Sequence, residues 1–254
     1  MSFVFRGIPI NTLAVADSMQ AVWEASLKSA VRVYWVNAHA INISEKNPGY
    51  KQAVLQAEFV LNDGVGVLLA AKALGCTISE NQTGTDWIPS FLDMLNTHHP
   101  GLSLYLLGAK PEVIKQAAQV FSERWPNIAI AGYNDGYFQD PRQAVEEIIS
   151  LQPALLIVGM GMPLQEFFID RHWDLLKHKV QIALAGGAIF DFLTLKIPRA
   201  PIWIRKIKLE WVYRLLQEPK RLAYRYLIGN PQFCWLICKE WITNRRKNYW
   251  HSRK

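Results

Sequence analysis

Cysteine is scarce: the 254 residues hold three, Cys76, Cys234 and Cys238. That number argues against a disulfide scaffold and fits a reducing compartment. Long apolar runs are missing as well. Nothing approaches the ~18–20 residues that a membrane-spanning helix needs, because the richest stretches, around Ala154–Met162 and Ile182–Phe190, are broken by glycines. The start, Met1-Ser-Phe-Val-Phe-Arg-Gly-Ile-Pro, lacks the basic flank and apolar stretch of a signal peptide, so none is expected. Metal-binding patterns are absent too. His39, His98, His99, His172, His178 and His251 are scattered, and neither His-x-x-x-His, Cys-x-x-Cys nor Asp-x-Asp occurs. No metal or other cofactor is expected, and the three cysteines read as packing residues. Internal repeats and low-complexity linkers are also missing.

What is present supports a large core. Half of the residues are hydrophobic and 19% are charged, which excludes disorder as the main state. The length suits one large α/β domain, or one domain with an appendage. The formal charge of +7 is unevenly placed. Residues 1–197 hold 14 Lys and Arg against 18 Asp and Glu, a net of −4, whereas residues 198–254 hold 14 against three, a net of +11. Five of the ten Trp fall in that basic segment. The division expected is a body over 1–197 and a basic, aromatic-rich helical appendage over 198–254.

Short apolar runs at Val31–Val36, Glu58–Leu61, Leu102–Leu107, Ile128–Ala131, Ala154–Val158 and Gln181–Leu184 read as strands. Several are apolar on both faces, as in a parallel sheet covered on two sides. Helical patterns lie between them. In Lys110–Arg124, Pro111 sits in the first turn, Val113, Ile114, Ala117, Ala118 and Phe121 form a stripe, and Pro126 ends it. Pro141–Leu151 and Leu164–Leu176 repeat the pattern. The alternation predicts an α/β fold, a Rossmann-like, mostly parallel sheet with helices on both faces, followed by the helical appendage.

In such a sheet the segments leaving the strands share one edge, where ligands bind. Here those segments are rich in glycine and polar groups: Asn37-Ala-His39, Asn62-Asp63-Gly64-Val-Gly66, Gly108-Ala-Lys110-Pro111, Asn134-Asp135-Gly136-Tyr137-Phe138, Gly159-Met-Gly161-Met-Pro163-Leu-Gln165-Glu166 and Gly186-Gly187-Ala-Ile-Phe190-Asp191. Gly159-Met-Gly161 is not a dinucleotide fingerprint, since Leu164 stands where the third glycine belongs and no acidic residue ends a strand about 20 residues later. Its glycines either let backbone N–H groups approach a phosphate or form tight turns. Asp63 reads as a general base or as a helix N-cap. Asp86 and Asp135 read as site residues or as a helix start and a turn.

In the basic segment, Leu209, Val212, Tyr213 and Leu216 share a helical face, and Phe233 to Ile242 form a second apolar face before Arg245-Arg246-Lys247. Such helices suit the headgroup layer of an anionic membrane. The same pattern is compatible with core helices or with a nucleic-acid backbone.

Taken together, the strand-end segments, Thr83-Gly84-Thr-Asp86, Arg199-Ala-Pro201 and the run Leu209-Glu-Trp211-Val-Tyr-Arg214-Leu-Leu-Gln-Glu-Pro219-Lys-Arg221-Leu, then Arg225-Tyr226 and Gly229-Asn-Pro231, resemble the WecG/TagA/CpsF family of bacterial glycosyltransferases. The resemblance runs from about Asn37 to Phe233. It implies an inverting, metal-independent enzyme of the GT-E fold type, moving a hexose or N-acetylhexosamine from a UDP-sugar to a polyprenyl-diphosphate-linked sugar. The products of such enzymes are exopolysaccharide, capsule, O-antigen or teichoic acid. It implies Asp63 as the base, with substrate contacts at Asn37, Gly64, Gly66, Asn81, Thr83, Asp86, Gly108, Tyr137, Gly159, Gly161, Gln165, Gly186, Gly187 and Asp191. Arg214, Arg221 and Arg225 would bind the diphosphate, and backbone N–H groups near Gly159–Gly161 or Gly186-Gly187 would assist. The tail would dock peripherally on the cytoplasmic face of the bacterial inner membrane, with no nucleic-acid partner; its apolar faces also allow an oligomer. Two positions depart from the family. Trp35 stands where Thr is common, and Asn81 stands where Arg is usual. The second removes a charge and brings in the alternative of a non-catalytic sugar-nucleotide or partner-binding module.

Overall fold

The structure, a computed structural model, describes residues 2–137, 140–196, 200–201, 204 and 210–251, without the side chains of residues 210, 221 and 245–251. Strands β3 (Val31–Val36), β4 (Phe59–Asn62), β5 (Leu102–Gly108), β6 (Ile128–Asn134), β7 (Leu155–Gly159) and β8 (Ile182–Ala185) form one parallel sheet in the order β4-β3-β8-β7-β5-β6. The six strands lie where the apolar runs predict them. Alternation along each strand divides the interior. Val33, Trp35, Leu104, Leu106, Leu155, Ile157, Ile182 and Leu184 face one layer, and Tyr34, Tyr105, Leu107, Leu156, Val158, Ala183 and Ala185 face the other. Helices α1 (Val15–Ser26), α5 (Gly84–His98), α6 (Pro111–Arg124) and α9 (Ile189–Leu193) cover the first face. Helices α7 (Pro141–Leu151) and α8 (Leu164–Leu176) cover the second.

A third apolar cluster lies beyond the β4 side of the sheet. It joins α2 (Ala38–Lys46), α3 (Pro48–Leu55) and α4 (Val65–Ala73) to an antiparallel hairpin that the strand pattern from residue 31 onward leaves out. The hairpin strands are β1 (Ser2–Phe5) and β2 (Ile8–Asn11). Phe3, Phe5, Ile8 and Ile10 point inward with the two-residue period of a strand. Arg6 (φ 51°) and Gly7 (φ 79°) make the two-residue turn, both in the left-handed region that matches the twist of a tight hairpin.

From Glu210 to His251 the basic segment is helical, and it folds back on this cluster. It comprises α10 (Glu210–Gln217), α11 (Pro219–Ala223), a π-helical turn (Tyr224–Ile228) and α12 (Gly229–His251). Phe233 and Leu236 are buried among the hairpin, α2 and α4, with the Phe233 ring edge-on to Phe5 at 5.7 Å. Because Phe233, Leu236 and Ile237 take the inward positions, Cys234 and Cys238 are exposed, which corrects their reading as packing residues. Cys76 does pack on the cluster. Of the family-like pieces, Phe138, Arg199, Leu209 and the side chain of Arg221 lie outside the described residues.

Two of the strand-end glycines are required by close packing. A Cβ on Gly108 would lie 2.5 Å from the Gly159 backbone, and one on Gly159 would lie 2.5 Å from the Phe190 ring and 2.9 Å from the Gly187 carbonyl oxygen. Gly159→Ala is therefore expected to destabilise the fold by about 1–3 kcal/mol, the usual cost of overpacking, seen as a lower urea midpoint at unchanged slope.

Candidate functional site

The carboxyl ends of β3 and β4 carry Asn37 and Asp63 side by side. Asn37 is the N-cap of α2: its backbone is extended and its Oδ1 accepts from the N–H groups of His39 (3.0 Å) and Ala40 (3.1 Å). The other end of the same amide, Nδ2, donates to Asp63 Oδ2 at 2.9 Å. Asp63 is half-buried, and its backbone N–H continues the sheet ladder by donating to the Val36 carbonyl at 2.8 Å. The N-cap reading of Asp63 does not hold. The cap position of α4 is Gly64, and no side chain caps that helix. The Asp63 carboxylate is thus left facing the cavity, oriented by one amide.

Asn81 holds the turn after Asp63. Its Oδ1 accepts from the Gly64 N–H at 2.7 Å, and its Nδ2 donates to Thr83 Oγ1 at 2.7 Å. An arginine has no acceptor, so the first of these bonds is open to Asn and closed to Arg. Trp35 lies beneath the same loop, donating from Nε1 to the Gln82 carbonyl at 2.7 Å and packing under Gly84.

These residues form the floor of a cavity of about 500 Å³, and the folded-back tail forms its roof. Asn37, Asp63, Gly64, Gly66, Asn81 and Thr83 line one side; Arg214 and Arg225 line the other. Residues not named as substrate or diphosphate contacts from the sequence complete it: His39, Thr85, Trp211, Tyr226, Asn230, Phe233, Cys234 and Ile237, with Leu68 and Leu69 of α4. The volume falls in the range of small-molecule sites. Gly66 allows the tail to approach, since a Cβ there would touch Phe233 at 3.4 Å and Ala38 at 3.5 Å. The π turn, a feature frequent at functional sites, presents both Arg225 and Tyr226 to the cavity, and Tyr226 meets Trp211 edge-on at 5.6 Å. Arg214 stacks over the Phe192 ring at 4.8 Å, and its Nε is buried with no hydrogen-bond partner. Burial, aided by the charge of Arg225, pushes His39 down to about 4, so its imidazole is neutral at pH 7.

The other expected positions lie elsewhere on the same sheet edge. Gly108 and Gly159 end β5 and β7, Tyr137, Gly161, Gln165, Gly186, Gly187 and Asp191 follow β6, β7 and β8, and Asp86 is in the first turn of α5. None of them lines the cavity. Gln165 is buried. Its Oε1 accepts from the N–H groups of Gly161 (3.1 Å) and Gly187 (2.9 Å), and its Nε2 donates to Glu166 Oε1 (3.0 Å) and the Ala185 carbonyl (3.3 Å). The Gly186 N–H donates to the Val158 carbonyl at 2.8 Å. Three backbone N–H groups expected to face a phosphate are therefore engaged within the protein, and Gln165 ties the two loops together. Tyr137 is exposed beside the Asp135 turn, where Asp135 Oδ1 accepts from the Tyr137 N–H at 2.7 Å. Among the described residues no three His, Cys, Asp or Glu side chains gather where they could hold a metal ion.

Comparison with known proteins gives one consistent result. A family model described as the glycosyl transferase WecG/TagA/CpsF family matches residues 3–247. The chain is similar to an N-acetylglucosaminyldiphosphoundecaprenol N-acetyl-beta-D-mannosaminyltransferase of Bacillus spizizenii, with 32% identity over 95% of this chain and 94% of that protein. Proteins of the same description from Bacillus subtilis (32% identity, 81% of this chain and 78% of that one) and Staphylococcus aureus MW2 (30%, 89% and 87%) are also similar.

Beside Gln165, Glu166 is fully buried, and its Oε2 has no partner. Burial pushes its carboxyl up to about 7, against 4.5 for an ordinary glutamate. The folded protein thus binds this proton more tightly than the unfolded chain. The resulting stabilisation is complete below about pH 4.5, declines as pH rises and is gone above about pH 7. Replacing the group with the uncharged amide in Glu166→Gln removes this dependence. The unfolding free energy of the parent relative to the variant should fall by on the order of 3 kcal/mol across that window, as measured by urea unfolding at a series of pH values.

Proposed function

The chain belongs to the WecG/TagA/CpsF family and is a glycosyltransferase, and from that premise we propose that it moves an N-acetylhexosamine-type sugar from a UDP-sugar to a polyprenyl-diphosphate-linked sugar in cell-envelope polymer synthesis. The relatives' names describe a mannosaminyl transfer to N-acetylglucosaminyl-diphosphoundecaprenol with a beta product. The observation that carries the reading for this chain is the pairing across one cavity of an oriented carboxylate, Asp63, with Arg214, whose buried Nε has no partner.

In this reading the acceptor hydroxyl attacks the anomeric carbon from the face opposite the diphosphate. The new C–O bond forms as the C–O bond to the diphosphate breaks, the leaving oxygen keeps the electron pair, and the hydroxyl proton passes to Asp63. Asn37 donates to Oδ2 and so holds the carboxylate in place. The charge that develops on the leaving diphosphate is met by guanidinium groups in place of a divalent ion; a planar fork binds phosphate oxygens well. Arg214 and Arg225 fill this role, and Arg221 is the third member of the proposed set. Neutral His39 adds no charge to the cavity. Gly161, Gln165, Gly187 and their neighbours shape the adjoining edge, where the nucleotide half of the donor extends.

The tail is also the proposed membrane contact, at the cytoplasmic face of the inner membrane. No helix among the described residues is long and apolar enough to cross a bilayer. The tail instead exposes Leu216, Tyr224, Leu227, Ile228, Trp235, Trp241 and Ile242 beside a cavity lined by arginines. Apolar groups among cations suit an anionic headgroup layer, and this would bring a lipid-linked acceptor to the cavity's tail side.

Two measurements test the proposal. With a panel of UDP-sugars and a polyprenyl-diphosphoryl-N-acetylglucosamine acceptor, one donor should release UDP without added divalent ion. In that assay Asp63→Asn should lower kcat by about 10²–10⁴-fold with the fold intact, and Arg214→Ala should lower it by about 10²-fold. Full activity of Asp63→Asn would remove it as the base. Flotation with anionic liposomes at low salt should recover the full chain, and the Leu227→Glu, Ile228→Glu, Trp235→Glu triple variant should stay behind. Equal flotation of the two would sink the membrane contact.

A further inference from the structure

The cavity-lining stretch of the tail helix is fastened at both of its ends to one helix of the body. At its start, Asn42 of α2 donates from Nδ2 to the Gly229 carbonyl at 2.7 Å, in a buried bond. The wall that follows is made by Asn230, Phe233, Cys234 and Ile237, spaced three and four apart on one face. The next position on that face is Glu240, three residues beyond Ile237. Glu240 Oε2 accepts from Arg6 Nη1 at 3.0 Å, and the Nη2 of the same guanidinium donates to Glu45 Oε2 in the last turns of α2. All three side chains are about four-fifths buried, with relative exposures of 22%, 19% and 23% for Arg6, Glu45 and Glu240. Arg6 is placed by the hairpin turn, where it adopts the left-handed conformation (φ 51°), and the Phe5 ring next to it packs on Phe233.

We propose that Arg6 is a positioning residue for the reaction: its guanidinium, shared between Glu45 and Glu240, clamps the far end of the cavity-lining stretch of α12 onto α2 and so fixes the roof over Asp63. Arg6 does not line the cavity and acts only through α12. The geometry explains why a charged side chain stands at a hairpin position where glycine or asparagine is favoured: the two arms of one guanidinium fork each meet a carboxylate. It also gives α2 a second task. Its first residue-pair contact, through Asn37, orients the carboxylate, and its last turn holds the roof. The kinetic part of the claim rests on the transferase reading; the clamp itself does not.

The test uses the full-length chain as Arg6→Gln, Glu240→Gln and the exchanged pair Arg6→Glu with Glu240→Arg, which restores one guanidinium between two carboxylates. Glu240→Gln sits on the tail and leaves the body's own contacts unchanged, so it reports even where a hairpin variant fails to fold. Amide hydrogen exchange over residues 229–240 should accelerate about tenfold in each single variant, the loss expected of a charge-assisted bond, while β7 is unchanged. KM for the lipid-linked acceptor should rise by a similar factor with kcat kept within about twofold. The exchanged pair should restore both. Unchanged exchange over 229–240 in the single variants would overturn the clamp, as would equal acceleration in β7 or failure of the exchanged pair to recover. If the parent chain released no UDP yet exchange followed the stated pattern, the transferase reading would fall and the clamp would stand.

Discussion

The Asn37 amide has one acceptor end and one donor end, and the two face different problems. Its oxygen takes two of the N–H groups that open α2, which fixes where that helix begins. Its nitrogen is thereby turned towards β4, where it meets Asp63. Neither Ser nor Asp could do both: the first is too short to span to the next strand, and the second has no donor to offer a carboxylate. The direction of α2, the orientation of Asp63 and, through Asn42 and Glu45, the seat of the tail all follow from this single cap.

The charge distribution acquires a meaning once the tail is seen to fold back. A body of net −4 and a tail of net +11 are a sequence fact. In the structure part of that excess lines a shared cavity, where Arg214 and Arg225 stand across from a carboxylate borne by the body. The excess is thus partly internal to the site and partly free to act on a surface. The cavity wall also sets the state of its neighbours: burial first, and the charge of half-buried Arg225 second, depress His39. A neutral imidazole beside arginines costs no repulsion and keeps the positive charge on groups that cannot lose it.

The parallel sheet was legible because its strands are buried on both faces and its helices carry clear stripes and proline starts. Asp63 was legible as a carboxylate at a strand end that an N-cap would equally explain; the glycine at the cap site of α4 removes the N-cap reading. The strand-end glycines carry a need that composition does not show. Gly159 reads as a phosphate approach or a tight turn and Gly108 as a substrate contact, while contacts between strands distant in sequence demand both for packing. Gln165 reads as a polar group facing a ligand, yet its amide is enclosed by two loops. The roof was partly legible: Tyr226, Asn230, Phe233 and Ile237 recur at helical spacing, and Trp211 and Arg214 are three apart. The hairpin had its own signal, apolar alternation around Arg6-Gly7, and it is the tail, far along the chain, that gives that signal a purpose.

The clamp joins residues 234 positions apart, and this sets an order of events at synthesis. The sheet and its two helical layers can close before the tail leaves the ribosome, because all six strands precede residue 186. The cavity cannot, since its roof follows all six strands in the chain. Until then Phe5, Ile8, Val67 and their neighbours lack the Phe233 and Leu236 that cover them in the finished fold. The nascent protein therefore carries an unroofed site and an open apolar seam. A chain that stops before residue 229 is left with both, so the site closes only when the tail helix packs against the body.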